Sequence, residues 1–271
     1  MPGIKRLALA PEIMQTASAP MKTRLVEAIT EFHSNDILWT DLFLSRTPFH
    51  SGYWVRKRMD DAIASYAHLA HGVLLDVGCG LKPYEKVFLP HIEKYIGLEY
   101  SPESGYRGNK ADISGDAALL PLADECVDTI LCTEVIEMVS NPEKAIAEFA
   151  RVLQPGGIVI TTAPFVYPIF DESDFFRFGP GGLKVMMERH GLTVEDVKPL
   201  AGTAVTLAAM FNIYWCDIGF SWTKWLYPVG LLLRPLLWLG CFVINLLGGL
   251  FERVIPSTHM SFIHLTVARK K

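Results

Sequence analysis

Apolar positions recur at helical spacing early in the chain, as Leu25, Ile29 and Phe32 and again as Met59, Ile63 and Tyr66. Residues 20–70 therefore read mainly as helices, interrupted by an irregular aromatic loop over Arg46–Trp54. From residue 73 the pattern changes to short apolar runs. Val73-Leu74-Leu75-Asp76-Val77 reads as a strand closed by Gly78-Cys79-Gly80, Tyr95–Glu99 as a second, Lys110–Ile113 as a third and Asp128–Cys132 as a fourth. Asn141-Pro142 caps a helix, because Asn accepts from orphan N–H groups and Pro suits the first turn. That helix carries Ala145, Phe149 and Val152 on one face and ends at Gln154-Pro155-Gly156-Gly157, where Ile158–Thr162 follows as a strand. A helix over Leu183–His190 stops at Gly191, Leu192–Val197 is strand-like, and Ser261–Lys271 alternates as a terminal strand does. Strands alternating with helices predict an α/β domain on a parallel sheet covered on both faces.

Residues 203–258 break this rhythm. Between Trp225 and Glu252 the only charge is Arg234, and the stretch 226–250 has the length of about 20 apolar residues that a bilayer span needs. Composition agrees: half of the 271 residues are apolar and mean hydropathy is +0.25. The 25 basic and 29 acidic side chains leave a charge of −4, which argues against a nucleic-acid footprint. The five cysteines (Cys79, Cys126, Cys132, Cys216, Cys241) form no C-x-x-C pair, so neither a disulfide framework nor a metal site is expected, and the compartment is read as reducing. Near the N-terminus, Pro11 and Glu12 cut short the apolar run Leu7–Ala10, so no signal-peptide core is read and the expected location is cytoplasmic.

A strand, a glycine-rich turn and a helix make an adenosine-cofactor crevice, since glycine lets the backbone approach its ligand. The dinucleotide fingerprint is absent: Pro83 stands where its third glycine belongs, and no Walker lysine motif is present. The chain instead carries Asp76-Val77-Gly78-Cys79-Gly80, Gly97-Leu98-Glu99, Gly115-Asp116-Ala117 with Leu120-Pro121, Asp124 to Asp128, and Arg151-Val152-Leu153-Gln154-Pro155-Gly156-Gly157. In that order and spacing these segments resemble the class I S-adenosylmethionine (SAM)-dependent methyltransferases, over residues 73–198 and again at the last strand. The resemblance implies a Rossmann-like doubly wound sheet, mostly parallel with an antiparallel last strand. It also implies SAM as cofactor. Gly78, Cys79 and Gly80 would pass close to its methionine part, with Asp76 orienting that loop. Glu99, followed by Tyr100, would accept from the ribose hydroxyls. Asp116 with Ala117 would meet the adenine, and Thr133 and Glu134 would line the methionine end. Asp128 reads as structural.

Family members with Glu-His-Val after the fourth strand look nearest, yet here that position reads Glu137-Met138-Val139, and Phe170 replaces a second histidine. Candidates for a base are then Asp171, Glu137 and His50, with Asp174 and His259 behind them; Asp174 is expected to pair with Arg177. The expected organisation is a helical cap and aromatic loop (1–70), a SAM-binding domain (71–200 with 259–271) and a hydrophobic insertion (201–258). Because the last strand must return to the same sheet, the insertion crosses a membrane twice, dips in as a hairpin with Arg234-Pro235 as its apex or break, or lies in the interface, where Trp222, Trp225 and Trp238 suit the headgroup region. The favoured partner is a hydrophobic or lipid-linked acceptor, O-methylated at the inner face of a membrane. A soluble small-molecule methyltransferase with the insertion as lid, and a non-catalytic SAM-fold scaffold, stay open.

Overall fold

The computed structural model describes residues 44–100, 110–169, 172–226 and 229–271. Asp171 and the helix expected around Leu25–Phe32 lie outside these. The described residues fold around a seven-stranded sheet of order β3-β2-β1-β4-β5-β7-β6. Its strands are β1 (Val73–Val77), β2 (Lys94–Glu99), β3 (Ile113–Ser114), β4 (Val127–Thr133), β5 (Leu153–Pro164), β6 (Leu192–Pro199) and β7 (Ile263–Lys270). Strands β1 to β5 pair in parallel, whereas β7 is antiparallel to both β5 and β6. It follows that β6 runs with β1–β5, and the carboxyl ends of all six form one edge, where ligands of open α/β sheets bind.

Helices cover both faces. Helix α3 (Pro142–Val152) and α4 (Pro180–Arg189) lie over Leu75, Val77, Ile130 and Val159, with Ala145, Ile146, Phe149 and Met187 buried between. Asn141 caps α3 as expected, its side chain accepting from the Lys144 N–H at 3.1 Å. The opposite face packs Leu74, Tyr95, Leu131 and Ile160 against Ile63 of α1 (Tyr53–Tyr66), Phe88 of the short α2 (Glu85–Phe88) and Val205 and Ala209 of α5 (Thr203–Trp225). One boundary differs from expectation: strand begins at Leu153, directly after α3, because Leu153 already pairs with Val127 of β4.

The apolar insertion is two long helices, α5 and α6 (Gly230–Val254), packed against each other. Both ends of the pair are tied to the domain. The Thr203 N–H donates to the Ser257 carbonyl at 2.7 Å, and Glu252 accepts from the N–H groups of Gly202 (3.0 Å) and Val205 (3.3 Å) while meeting Arg58 of α1 at 2.7 Å. The hairpin reading needs one correction. Arg234-Pro235 is not the apex: α5 ends at Trp225, α6 begins at Gly230, and Pro235 lies within the second turn of α6. A proline there deletes a single hydrogen bond near a helix start, and packing along α5 keeps the helix continuous. Arg234 is buried, its guanidinium 5.9 Å from the Phe220 ring centre across the pair. The apolar side chains turn outward instead: Leu232 is 78 % exposed, Trp222 67 % and Leu236 59 %.

Candidate functional site

The carboxyl end of β1 delivers Asp76 and the glycine turn. Asp76 is buried and accepts a 2.6 Å hydrogen bond from the Tyr95 hydroxyl. Burial pushes its carboxyl up to about 7, against the Tyr95 bond and nearby Lys82, which favour the charged form. The N–H groups of Gly78 and Cys79 both donate to the Leu98 carbonyl (2.8 and 3.1 Å), which locks the turn to β2. Gly78 has φ +73°, and a Cβ there would stand 2.2 Å from Val135 Cγ2, so the turn and the segment after β4 interlock. Gly80 also has positive φ (+48°), but among the described residues nothing lies within 4 Å of where its Cβ would be. Cys79 is buried and its thiol is pushed up to about 12 by burial, which leaves it unreactive.

Glu99, at the end of β2, accepts from the Gly80 N–H at 3.1 Å and the Tyr100 N–H at 3.2 Å. Tyr100 itself is exposed. Because β3 pairs with β2, Ser114 lies beside Glu99, and the Gly115 N–H bonds the Glu99 carbonyl at 3.0 Å. Asp116 follows, exposed, with one oxygen accepting from the Ala118 N–H (2.8 Å) and Ala117 buried next to it. The structure therefore brings Asp76, Gly78, Gly80, Glu99 and Asp116 to one edge across β1, β2 and β3. Asp128 turns the other way, accepting from the Val73 N–H at 2.7 Å, a structural bond.

Beyond β4 the chain turns sharply. Thr133 ends the strand and Glu134 takes φ +53°, a backbone state uncommon for a residue with a side chain and typical of functional turns. Its N–H donates to the hydroxyl (3.2 Å) and carbonyl (3.3 Å) of Thr162 on β5. Glu137, in a single 3₁₀ turn, is 4 % exposed, and its carbonyl receives the N–H groups of Phe175 (3.0 Å) and Phe176 (3.1 Å). Among the described residues, Glu134 Oε1 and Glu137 Oε2 are buried with no hydrogen-bond partner. Burial raises both carboxyls above the ordinary range; the Thr162 bond and then Arg177 oppose this at Glu134, whereas the Glu134 charge adds to it at Glu137. Asp174 pairs with Arg177, as expected: both terminal guanidinium nitrogens meet its carboxylate, and the remaining donors hold the carbonyls of Tyr167, Pro168 and Phe176. That guanidinium is fully engaged in shaping the loop after β5.

His50 sits differently from a base poised at this edge. Its Nδ1 accepts from the Gly52 N–H (3.0 Å), and its carbonyl receives the Asn245 amide of α6 (3.0 Å), tying the aromatic loop to the helical pair. His259 is exposed. Sequence reasoning passed over Thr162, Tyr84 and Tyr167. Glu134 helps to raise the hydroxyls of both tyrosines, after burial and, for Tyr84, Asp60. The only available signal was aromatic density in Pro164-Phe165-Val166-Tyr167-Pro168.

Comparisons with known proteins bear on the domain that carries this edge. Residues 75–161 match the family model described as a methyltransferase domain. That match covers less than half of the chain, and over it the chain is similar to SAM-dependent methyltransferases. A 2-methyl-6-phytyl-1,4-hydroquinone methyltransferase of rice is 29 % identical over 157 residues, covering 53 % of this chain and 47 % of that one. An uncharacterised methyltransferase of Mycobacterium ulcerans is 34 % identical over 99 residues, covering 34 % and 39 %. The matches thus span about half or less of these relatives' lengths. In fold, a SAM-dependent methyltransferase of Thermotoga maritima superposes with TM-score 0.51 at 17 % identity, over 90 % of this chain and 99 % of that one. The cyclase SpnF does so with the same TM-score at 20 % identity, over 79 % and 80 %. A cyclase on this fold shows that the fold alone does not fix the chemistry.

Proposed function

We propose that this protein is a SAM-dependent methyltransferase that methylates oxygen on a hydrophobic or lipid-linked acceptor at a membrane surface. The observation that carries the cofactor reading is Gly80: left-handed, with no described residue within 4 Å of its Cβ position, and with its N–H held by the Glu99 carboxylate. A side chain there would fill the space a ligand needs, while Glu99 keeps lone pairs for ribose hydroxyls. In this reading Asp76 borders the turn from the end of β1, Asp116 meets the adenine amino group, and Thr133 and Glu134 line the methionine end. When bound, SAM supplies an electrophilic methyl group, and the chain's own work is to position the acceptor and take up its proton.

The acceptor reading rests on α5 and α6. Among the described residues, Leu232–Val254 is the one helix long and apolar enough to cross a membrane. At 1.5 Å per residue its 23 residues reach about 35 Å, against a hydrocarbon layer of ~30 Å. Both ends of the pair are pinned at the carboxyl edge of the sheet, so a hairpin that enters and leaves a bilayer on one side leaves β7 in place beside β5 and β6. A monotopic or peripheral attachment at the cytoplasmic face would bring lipid-borne acceptors to the edge that holds Gly80. Three measurements test this: a thermal shift with SAM, co-sedimentation with phosphatidylglycerol–phosphatidylcholine vesicles, and transfer of labelled methyl from SAM to a membrane lipid extract. Stabilisation, sedimentation and labelled lipid are expected. Absence of a thermal shift overturns the cofactor assignment, and full activity on a water-soluble acceptor with no vesicle binding overturns the membrane one.

A further inference from the structure

Helices α5 and α6 run antiparallel, in a register that side chains along their seam fix. The Asn212 amide donates to Asn245 Oδ1 at 2.9 Å, and Trp215 Nε1 donates to the Leu237 carbonyl at 3.2 Å. Within this seam Cys216 faces Cys241, with the two sulfurs 3.4 Å apart. Small residues on either side bring the helices this close: a Cβ on Gly219 would stand 2.3 Å from Leu237 Cδ2, and one on Gly240 2.6 Å from Trp215 Nε1. Both cysteines are free thiols. A disulfide holds its sulfurs at about 2.05 Å, so bonding needs an approach of about 1.4 Å, a shift on the scale of side-chain rotation. The other cysteines are placed differently. The thiols of Cys79 and Cys126 donate to the carbonyls of Gly80 and Ala123, and Cys132 is buried in β4. Two sulfurs are only part of a metal's donor set, and among the described residues no group of three His, Cys, Asp or Glu could hold an ion. Disulfides of reducing compartments are, in contrast, usually transient and redox-sensing.

We propose that Cys216 and Cys241 are a modification site, where a hydroperoxide oxidises the two thiols to a reversible disulfide that joins α5 to α6. Exposure sets the order of events. Cys216 is 9 % exposed and Cys241 0 %, so Cys216 meets the oxidant and Cys241 resolves the sulfenic acid that forms. With hydrogen peroxide, the Cys216 sulfur bonds to one oxygen as the O–O bond breaks, and the other oxygen leaves with the thiol proton as water. The Cys241 sulfur then bonds to the Cys216 sulfur as the S–O bond breaks, and the hydroxyl leaves with the Cys241 proton as a second water. The thiols have lost two electrons and two protons, and the peroxide has taken up both. The new bond closes a loop around the tip of the helical pair, while the glycine turn of β1 lies outside that loop. Neither methyl transfer nor membrane contact is needed for this chemistry.

The test treats the full-length protein with a small molar excess of hydrogen peroxide, then unfolds it and counts thiols by alkylation. The count is expected to fall from five to three, intact mass to fall by two hydrogens, and dithiothreitol to restore both. Lys224 lies between the two cysteines, so trypsin places them on separate peptides, which should be recovered joined until reduced. Cys241→Ser should abolish the joined peptides and accumulate a sulfenic acid at Cys216, trapped by dimedone. In Cys216→Ser, Cys241 should stay a thiol. Five thiols remaining in peroxide-treated wild type, or a bond from either cysteine to a different one or to a second copy of the chain, overturn the site, and these results need no variant to fold. Dimedone on Cys241 in Cys216→Ser, with none on Cys216 in Cys241→Ser, overturns the assigned order.

Discussion

Replacing Gly80 by alanine separates folding from binding, because the neighbouring Gly78 provides the opposite case within the same turn. At Gly80 the added methyl meets no atom of the described residues within 4 Å, so among them the cost to the fold is confined to backbone conformation at φ +48°. That is about 1–2 kcal/mol for a non-glycine residue in the left-handed region, or a fall in Tm of roughly 2–8 °C for a chain of this size. The methyl occupies the space on which the cofactor reading depends. Pushing a bound ligand off the backbone forfeits one or two hydrogen bonds, about 1.5–3 kcal/mol where charge is involved, equivalent to an affinity loss of roughly 10- to 100-fold. At Gly78 the same methyl lands 2.2 Å from Val135 Cγ2 at φ +73°, so strain and overpacking add to about 3 kcal/mol or more and appear in stability itself. Calorimetric titration with SAM, alongside thermal denaturation of each variant, reads both quantities. Wild-type SAM affinity in Gly80→Ala, with the protein folded, refutes the cradle.

Three further outcomes follow from the geometry. Glu99→Ala removes both the anchor of the Gly80 N–H and the candidate ribose acceptor, and calorimetry should show SAM affinity falling about 10- to 100-fold, since charge-assisted bonds are worth about 1.5–3 kcal/mol each. Asp76, raised to about 7 by burial, binds its proton more tightly folded than unfolded, so its contribution is present in acid and fades as pH rises through 7. Glu134 and Glu137 act in the same direction. Urea unfolding of the ligand-free protein should therefore give lower stability at about pH 8.5 than at about pH 6, and Asp76→Asn should flatten that slope by about 1.4 kcal/mol, the worth of the one pH unit between 6 and 7; stability rising over that interval contradicts the burial argument. Finally, Leu232→Lys with Leu236→Lys changes two exposed side chains of α6 and should leave Tm within a few degrees while abolishing vesicle co-sedimentation; unchanged sedimentation would rule out insertion through this face.

The sequence by itself determined everything that depends on one element and its immediate neighbours. Strand β1 with its glycine turn, the Asn141-Pro142 start of α3 and the apolar character of the α5–α6 segment are written in periods and caps that operate over a few residues. The residues proposed to hold the cofactor were legible for the same reason: Asp76, Gly78 and Gly80 lie on one strand and its turn, and Glu99 ends the next. Tertiary structure alone decided what meets across that edge. The insertion of β7 between β5 and β6 fixes where the helical pair is anchored. The convergence of Tyr84, Glu134, Tyr167 and Arg177 comes from three separate loops whose proximity is a consequence of strand order. Glu137 could be read as an acid but not as a buried one, since its burial is imposed by the loop after β5 closing over it. Arg234-Pro235 read as a break because proline destabilises an isolated helix, yet packing along α5 outweighs one lost hydrogen bond. Local propensity acts within an element; burial and pairing are properties of contacts that form only when distant segments meet.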